Sequence, residues 1–165
     1  VWRSMEKILN DLSAVLSQKR LTFGFAESCT GGMLSSMVTE IPGISEYFYG
    51  SVVSYSNSIK TSLLKVDSRT IELYGAVSRE CVEQMADGLI NLMNVDCAVS
   101  VSGIAGPGGG SAEKPVGTVW FCFIVDNKRK SEKKFFPGNR QEIRKSASYY
   151  AITVMTDMMK AFKEG

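Results

Sequence analysis

The stretch LTFGFA at residues 21–26, continued by ESCTGG at residues 27–32 and MLSSMVTE at residues 33–40, carries the clearest fold signal in the chain. The first segment is short, aromatic and partly β-branched, which is typical of a strand, and the second is a turn of small residues. The third has helical character and stops before Pro42 and Gly43. A strand that leads through a tight turn into a helix indicates an α/β fold.

The same alternation of strands and helices continues on both sides of this stretch. Strands are predicted at residues 51–55, 97–102, 116–125 and 130–136, and helices from Met5, at residues 58–65 and 68–74, after Ser78 and from Asn139. Residues 126–129 reverse the chain between two strands, which predicts an antiparallel hairpin. We therefore expect a three-layer α/β/α sandwich with a mixed, mostly parallel sheet and one antiparallel edge hairpin.

Three loops follow strands of this predicted sheet, at residues 27–32, 55–60 and 103–111. Open α/β sheets bind ligands beyond the carboxyl ends of their strands. The sequence therefore predicts that these three loops form the functional site.

Length and composition indicate an ordinary globular domain. The chain has 165 residues, of which 44% are hydrophobic and 22% charged, so we expect one domain at residues 5–165. Met5 resembles a natural start, and residues 1–4 are expected to be foreign or disordered.

The net charge of +2 gives no support for a nucleic-acid or membrane partner. With no apolar run near 18 residues and no signal peptide, a cytoplasmic location is expected.

The chain contains no histidine. This excludes the Ser-His-Asp triad, the Cys-His pair and every metal site that uses histidine. The four cysteines, at positions 29, 81, 97 and 122, form no C-x-x-C pair, so neither a zinc knuckle nor a redox-active dithiol is predicted. No metal and no cofactor are expected. If the protein is an enzyme, Lys, Tyr, Asp or Glu must move its protons.

Ser28 is the first candidate catalytic residue, because it lies in the turn between a strand and a helix. The N–H groups that follow it could stabilise an oxyanion, as helix N-termini favour developing negative charge. The alternative is that the serine only caps the helix. Cys29 is a competing nucleophile, since a helix N-terminus can lower the pKa of a thiol. However, no histidine is available to activate it, and it could equally be a buried core residue.

Lys60 is the second candidate, in the first turn of the helix that follows Tyr55. The helix dipole disfavours an ammonium at that position, and burial would lower the pKa of the lysine further. A neutral lysine is the general base that a serine hydrolase without histidine requires. The alternative is a solvated surface lysine, and Tyr55 by itself is more often a core aromatic residue.

The glycine-rich loop at residues 103–111 allows its backbone to approach a ligand closely, and nested N–H groups bind anions. It matches neither the P-loop motif nor the dinucleotide-binding fingerprint. Arg140, at the start of the last helix, could hold a phosphate or carboxylate with two hydrogen bonds. The alternative is an ordinary surface arginine.

Taken together, the loops resemble the C-terminal domain family of the competence/damage-inducible protein CinA, whose stand-alone members are nicotinamide-nucleotide amidases. The likeness extends from about residue 5 to residue 162. The matching stretches are AESCTGG at 26–32, VSYSN at 53–57 with Lys60, GAVS at 75–78, SGIAGPGGGS at 102–111, KPVGTVW at 114–120 and FPGNR at 136–140.

The resemblance implies a three-layer α/β/α sandwich that deamidates nicotinamide mononucleotide to nicotinate mononucleotide and ammonia, a hydrolase reaction of pyridine nucleotide salvage. It implies a homo-oligomer with a small nucleotide as its partner. Ser28 would be the nucleophile and Lys60 the general base, with Tyr55 orienting Lys60 or relaying the proton. The remaining implied site residues are Cys29, Thr30, Gly31 and Gly32 for the oxyanion, and Arg140, Asn57, Gly106, Gly108, Gly109 and Gly110 for the phosphate and ribose.

Three alternatives stay open at this point. The first is an amidase that uses the thiol of Cys29. The second is a nucleotide-binding module of the same fold without catalytic activity. The third is a serine amidase that acts on another small amide.

Overall fold

The computed structural model describes residues 4–165. Its elements are α1 (Met5–Lys19), β1 (Phe23–Glu27), α2 (Met33–Val38), a short 3-10 helix (Ile44–Glu46), β2 (Phe48–Val53), α3 (Asn57–Leu64), α4 (Ser68–Tyr74), α5 (Arg79–Met93), β3 (Cys97–Gly103), β4 (Thr118–Val125), β5 (Lys128–Phe135) and α6 (Arg140–Ala161).

Ser4, the first residue that the structure describes, precedes the predicted start of the domain at Met5. Residues 1–3, which were expected to be foreign or disordered, lie outside the described residues. Ser4 is the N-cap of α1, and its hydroxyl accepts a hydrogen bond from the N–H of Lys7 at 3.2 Å. Because a capping hydroxyl satisfies an otherwise unpaired helix N–H, Ser4 contributes to the folded structure.

A five-stranded sheet in the order β2-β1-β3-β4-β5 organises the described residues. β1 pairs in parallel with β2 and with β3, whereas β4 pairs antiparallel with β3 and with β5. β1, β2, β3 and β5 therefore run in one direction and β4 runs in the other. This confirms the predicted mixed sheet with an antiparallel hairpin at its edge.

Helices cover both faces of the sheet, because alternate residues of the central strands are apolar on both sides. In β1, Phe23 and Phe25 face α1, α2 and α6, whereas Ala26 faces α3, α4 and α5. β3 alternates in the same way, with Val99 on the first side and Ala98 on the second. The result is the predicted three-layer α/β/α sandwich with one apolar core on each side of the sheet.

Two predicted strand boundaries were wrong. The second strand was expected at residues 51–55 but occupies Phe48–Val53. It is a half-exposed edge strand with an irregular pairing near Gly50. Its polar and apolar side chains therefore do not alternate clearly, and the sequence pattern did not show where it begins. The hairpin turn was expected at residues 126–129. The observed turn is shorter, because Asp126 adopts a left-handed φ of 56° and Val125 pairs directly with Lys128. β5 therefore begins at Lys128.

α6 carries Arg140 in its first turn and Arg144 one turn later. Asn139 and Glu142 form the predicted capping box, in which each side chain bonds to the backbone N–H of the other residue. This fixes the start of α6 beside the carboxyl edge of the sheet. Although α6 has 22 residues, no helix within residues 4–165 combines the length and the apolar character needed to span a bilayer.

Candidate active site

The three predicted loops meet at the carboxyl edge of the parallel strands. The chain leaves β1 at Glu27, β2 at Val53 and β3 at Gly103. The first residue after β1 and the first residue after β2 each stay bound to a neighbouring strand. The N–H of Ser28 donates to the carbonyl of Val101 at 3.0 Å, and the N–H of Ser54 donates to the carbonyl of Glu27 at 2.8 Å. The sheet therefore holds the start of each loop rigidly.

A cavity of about 320 Å³ lies between these loops. Most of the residues predicted from the sequence line it, together with a short apolar segment before α5 and the end of β3. The lining residues are Ser28, Cys29, Tyr55, Asn57, Lys60, Ala76, Val77, Ser102, Gly103, Ile104, Ala105, Gly106, Gly108, Gly109 and Arg140.

Ser28 and Lys60 contact each other on the floor of this cavity. The Nζ of Lys60 lies 3.0 Å from the Oγ of Ser28, although 32 residues separate them in the chain. The same Nζ donates to the carbonyls of Ser54 at 2.7 Å and Tyr55 at 3.2 Å. The side chain of Lys60 is 1% exposed, so its amine is fixed by packing as well as by these three contacts.

Burial lowers the pKa of Lys60 below its usual value, because an ammonium loses its hydration in this setting. The Nζ donates to the Oγ of Ser28 as well as to the two carbonyls. When the amine is neutral, two N–H groups can stay on the carbonyls of Ser54 and Tyr55, and the lone pair is then directed at the hydroxyl of Ser28. The pair is therefore arranged so that the amine can remove the proton of the serine.

Cys29 lines the cavity but has the environment of an inert thiol. Its side chain is 5% exposed, and burial raises the pKa of the thiol to about 12. Loss of hydration is the largest effect on this pKa and outweighs the lowering by the nearby charges of Arg144 and Lys60, so the thiol is not activated. The described cysteines are all free and buried, as the sequence predicts for a reduced core.

Tyr55 contacts Lys60 in a different way from the one expected. Its main-chain carbonyl accepts from the Nζ of Lys60, whereas its phenol hydroxyl accepts from the Nη2 of Arg140 at 2.9 Å. The phenol is largely exposed. The structure thus assigns the contact with Lys60 to the backbone of Tyr55, and its side chain lies on Arg140 at the rim.

Arg140 bridges two sides of the cavity rim. Its Nη1 donates to the carbonyl of Gly106 at 2.7 Å, and its Nη2 reaches the hydroxyl of Tyr55. An exposed guanidinium in this position can exchange such neutral acceptors for a phosphate or carboxylate. Asn57, Gly108 and Gly109 line the cavity with it.

Gly110 does not line the cavity, although it was predicted as a substrate-binding residue. A Cβ at this position would lie 2.8 Å from the backbone nitrogen of Val116. Gly110 thus permits close packing of two backbone segments behind the loop. Gly106, Gly108 and Gly109 remain the glycines that face the site.

The predicted oxyanion turn has fewer free donors than expected. The N–H of Gly31 donates to the carbonyl of Ser28 at 3.0 Å, and the N–H of Gly32 donates to Oε1 of Glu27 at 3.1 Å. Thr30 is fully buried, and its hydroxyl also donates to Glu27. Direct oxyanion binding by Gly31 and Gly32 is therefore corrected: both N–H groups are already engaged. Across residues 4–165, no oxygen accepts the N–H of Cys29, the residue that follows the serine and lines the cavity.

Sequence reasoning assigned no role to Glu27 or Arg144, which hold the turn from two sides. The buried carboxylate of Glu27 accepts from the hydroxyls of Thr30, Ser35 and Ser51 and from three backbone N–H groups. Arg144 donates to the carbonyls of Cys29 and Thr30, both at 3.0 Å. The signal for Arg144 was its spacing of one helical turn from Arg140, and the signal for Glu27 was an acid at the end of an otherwise apolar strand.

The part of the chain that the structure describes contains no group of three or more Cys, Asp or Glu side chains placed to hold a metal ion. Fold and cavity together define an α/β protein with a buried serine–lysine pair at the carboxyl edge of a mixed sheet. The chain belongs to the CinA C-terminal domain family, whose sequence model matches residues 5–159.

Comparison with other proteins supports the same family over almost the whole chain. A CinA-like protein of Petrotoga mobilis is 50% identical over 159 residues, which cover 96% of this chain and 39% of that protein. A CinA-like protein of Thermotoga maritima is 44% identical over 155 residues, which cover 94% of this chain and 38% of that protein. This chain spans about two fifths of the length of these curated relatives.

Solved structures of the superfamily share the fold. Competence damage-inducible protein A from Klebsiella pneumoniae superposes with a TM-score of 0.93 at 28% identity, over 98% of this chain and 100% of that chain. Competence/damage inducible protein CihA from Agrobacterium tumefaciens superposes with a TM-score of 0.90 at 34% identity, over 97% and 98% of the two chains.

Proposed function

We propose that this chain is an amidohydrolase that converts nicotinamide mononucleotide and water into nicotinate mononucleotide and ammonia. The observation that carries the proposal is the 3.0 Å contact between the Nζ of Lys60 and the Oγ of Ser28 inside a cavity. The reaction class rests on this pair, and the choice of substrate rests on membership of the CinA C-terminal domain family.

In the first half of the reaction, the Oγ of Ser28 attacks the carboxamide carbon while its proton passes to the Nζ of Lys60. The carbonyl oxygen becomes an oxyanion, and we assign its stabilisation to the N–H of Cys29. Lys60 then returns the proton to the amide nitrogen. The C–N bond breaks, ammonia leaves, and the acyl group stays on Ser28 as an ester.

In the second half, water takes the position of the departed ammonia. Lys60, neutral again, removes a proton from this water, whose oxygen attacks the ester carbon. The tetrahedral intermediate collapses, Lys60 gives the proton back to Ser28, and nicotinate mononucleotide is released. The amine of Lys60 thus acts first as base and then as acid in each half of the reaction. A lowered pKa allows this amine to be neutral when each half begins.

The phosphate of the substrate is assigned to the rim of the cavity. Arg140 offers two guanidinium N–H groups there, and the glycines at 108 and 109 offer backbone without side chains. A substrate whose phosphate binds Arg140 could extend its carboxamide toward Ser28 on the floor. Recognition at the rim would favour the nucleotide over free nicotinamide, because binding energy remote from the reacting bond positions the amide.

The test is ammonia release from nicotinamide mononucleotide by the purified chain. Ser28→Ala is expected to abolish turnover and to leave the melting temperature nearly unchanged. Ser17→Ala, at an exposed position on α1, is the matched control and should behave as wild type. Full activity in Ser28→Ala would overturn the serine mechanism.

The alternatives give different outcomes in the same assay. Loss of turnover in Cys29→Ala with retention in Ser28→Ala would identify a thiol amidase. A thermal shift with nicotinamide mononucleotide but no ammonia would identify a binding module. Equal turnover of amides with and without a 5′-phosphate would point to another small amide as the substrate.

A further inference from the structure

Arg144 contacts the backbone of the Ser28 turn and takes no part in lining the cavity. Its Nε donates to the carbonyl of Cys29 and its Nη2 to the carbonyl of Thr30, each at 3.0 Å. Arg140, one helical turn earlier on α6, faces the cavity. Only Arg140 therefore borders the space that a substrate would occupy, and Arg144 contacts the turn from outside the cavity lining.

The contacts of Arg144 lie at the start of a chain of hydrogen-bonded peptide groups. The carbonyl of Thr30, which accepts from Arg144, belongs to the same peptide group as the N–H of Gly31. That N–H donates to the carbonyl of Ser28 at 3.0 Å. The carbonyl of Ser28 in turn shares its peptide group with the N–H of Cys29. The chain thus ends at the N–H that directly follows the nucleophile, in a residue that lines the cavity.

We propose that Arg144 is a positioning residue that strengthens the N–H of Cys29 as the oxyanion donor through this chain of two peptide groups. The inference rests on the proposed function, because it concerns the oxyanion that forms when Ser28 attacks an amide. Hydrogen bonds in series polarise one another, and a full positive charge at one end increases the effect along the chain. The engaged N–H of Gly31 is therefore a link in the chain that leads to the oxyanion donor.

The other contacts of the turn explain why this polarisation can be used. Glu27 holds Thr30 and Gly32 from the opposite side, so the turn is fixed before the substrate arrives. A donor that is already oriented stabilises charge in the transition state without reorganisation. The Nε contact adds to the effect, because it polarises the peptide group between Cys29 and Thr30.

The first test separates kcat from KM in three variants. Arg144→Met keeps the length of the side chain without its charge and is expected to lower kcat by roughly 10-fold, a fraction of the 10²–10³-fold cost of removing a whole oxyanion donor. Its KM for nicotinamide mononucleotide should stay within about twofold. Arg144→Lys keeps the charge but cannot bind both carbonyls through a planar fork, so an intermediate kcat is expected. Lys145→Met removes a charge from the next, exposed position of α6 and should match wild type.

The second test does not depend on the natural substrate. A fluorophosphonate labels an activated serine: the Oγ–P bond forms, the P–F bond breaks, fluoride leaves and the serine proton passes to the base. The same N–H group should stabilise the developing charge on the phosphoryl oxygen. The labelling rate of Ser28, followed by mass spectrometry, is expected to fall in Arg144→Met by a factor similar to that for kcat, with Arg144→Lys between the two.

The outcomes distinguish this inference from the proposed function. Ammonia release by wild type with an unchanged kcat in folded Arg144→Met would overturn the role of Arg144 alone. Labelling that depends on Arg144, in a chain that releases no ammonia from the nucleotide, would overturn the substrate assignment and support the role of Arg144. If Arg144→Met does not fold, the kcat and labelling rate of Arg144→Lys decide by the same criteria. Absence of both activities in wild type would overturn both proposals.

Discussion

Gly88 of α5 packs directly against the carbonyl of Leu64, the last residue of α3. A Cβ at position 88 would lie 1.9 Å from that carbonyl oxygen. α3 carries Lys60, so this close approach of two helices sets how deeply the amine reaches toward Ser28. The absence of a side chain at position 88 is thus connected to the geometry of the site.

Gly88→Ala is therefore expected to destabilise the protein and to displace α3. Overpacking of a well-packed core costs about 1–3 kcal/mol, and here the clash is with rigid backbone, so we expect at least the upper part of that range. Urea unfolding measures the free energy, and ammonia release measures the displacement of Lys60. Asn91→Ala, at an exposed position on the same helix, should change the free energy of unfolding by less than about 0.5 kcal/mol. An equally small effect in Gly88→Ala would show that the two helices can separate at no cost.

The pH dependence of turnover tests the role of Lys60. Because burial lowers the pKa of its ammonium, kcat/KM for nicotinamide mononucleotide should rise with pH through an apparent pKa below 10.5 and then level off. Lys60→Arg keeps a positive charge that cannot be removed, and it should be inactive at every pH. An active Lys60→Arg variant would exclude Lys60 as the general base.

The cysteines should be unreactive in the folded protein. Burial raises the pKa of the thiols to about 12 for Cys29 and Cys97 and to about 11 for Cys81 and Cys122. A disulfide reagent at pH 8 should therefore detect almost no thiol in the native chain and all four after denaturation. Cys29→Ala should retain most of the ammonia release. Rapid native labelling of Cys29, together with loss of turnover in Cys29→Ala, would contradict the serine assignment.

Arg140 and Tyr55 should affect substrate binding more than the chemical step. Removing a charged hydrogen bond to a phosphate costs about 1.5–3 kcal/mol, so Arg140→Ala is expected to raise KM roughly 10- to 100-fold with a smaller change in kcat. Tyr55→Phe removes a hydroxyl that contacts Arg140 and leaves the carbonyl that contacts Lys60, so only KM should rise, and by less. A large fall in kcat for Tyr55→Phe would instead indicate the proton relay that the family resemblance implies.

Glu27→Gln should destabilise the turn that holds Ser28. An amide nitrogen cannot accept the hydrogen bonds that one carboxylate oxygen now accepts, and each buried donor left unpaired costs about 1–3 kcal/mol. We expect a loss of at least about 2 kcal/mol in urea unfolding. Glu46→Gln, which alters an exposed ion pair with Arg20, is the control and should change the free energy by less than about 1 kcal/mol. Equal effects in the two variants would show that Glu27 has no special structural role.

The sequence was informative wherever a local pattern decides the structure. Strand–turn–helix order predicted the three layers, and the placement of Ser28 and Lys60 after parallel strands predicted that they would meet. Caps were equally predictable, because the capping box of Asn139 and Glu142 depends on residues three positions apart.

The errors arose where long-range contacts decide the outcome. The N–H groups of Gly31 and Gly32 looked free in the sequence, but Glu27 and the carbonyl of Ser28 bind them in the folded chain. Arg144 reaches the same turn from a helix more than 100 positions away. The position of the Tyr55 phenol depended likewise on where Arg140 would lie. No local pattern specifies such partners.

The burial of Lys60 has a consequence for attempts to make this protein more heat-resistant. Its pKa is lower in the folded than in the unfolded chain, so the unfolded chain binds this proton more tightly. The resulting loss of stability is fully present below the folded pKa and disappears as the pH rises past about 10.5. An apolar side chain of similar size at position 60 would escape this loss at neutral pH, although it would leave the carbonyls of Ser54 and Tyr55 without their donor. Selection for thermal tolerance alone therefore gives no reason to retain the base that we propose, and directed evolution of this protein must score turnover in parallel.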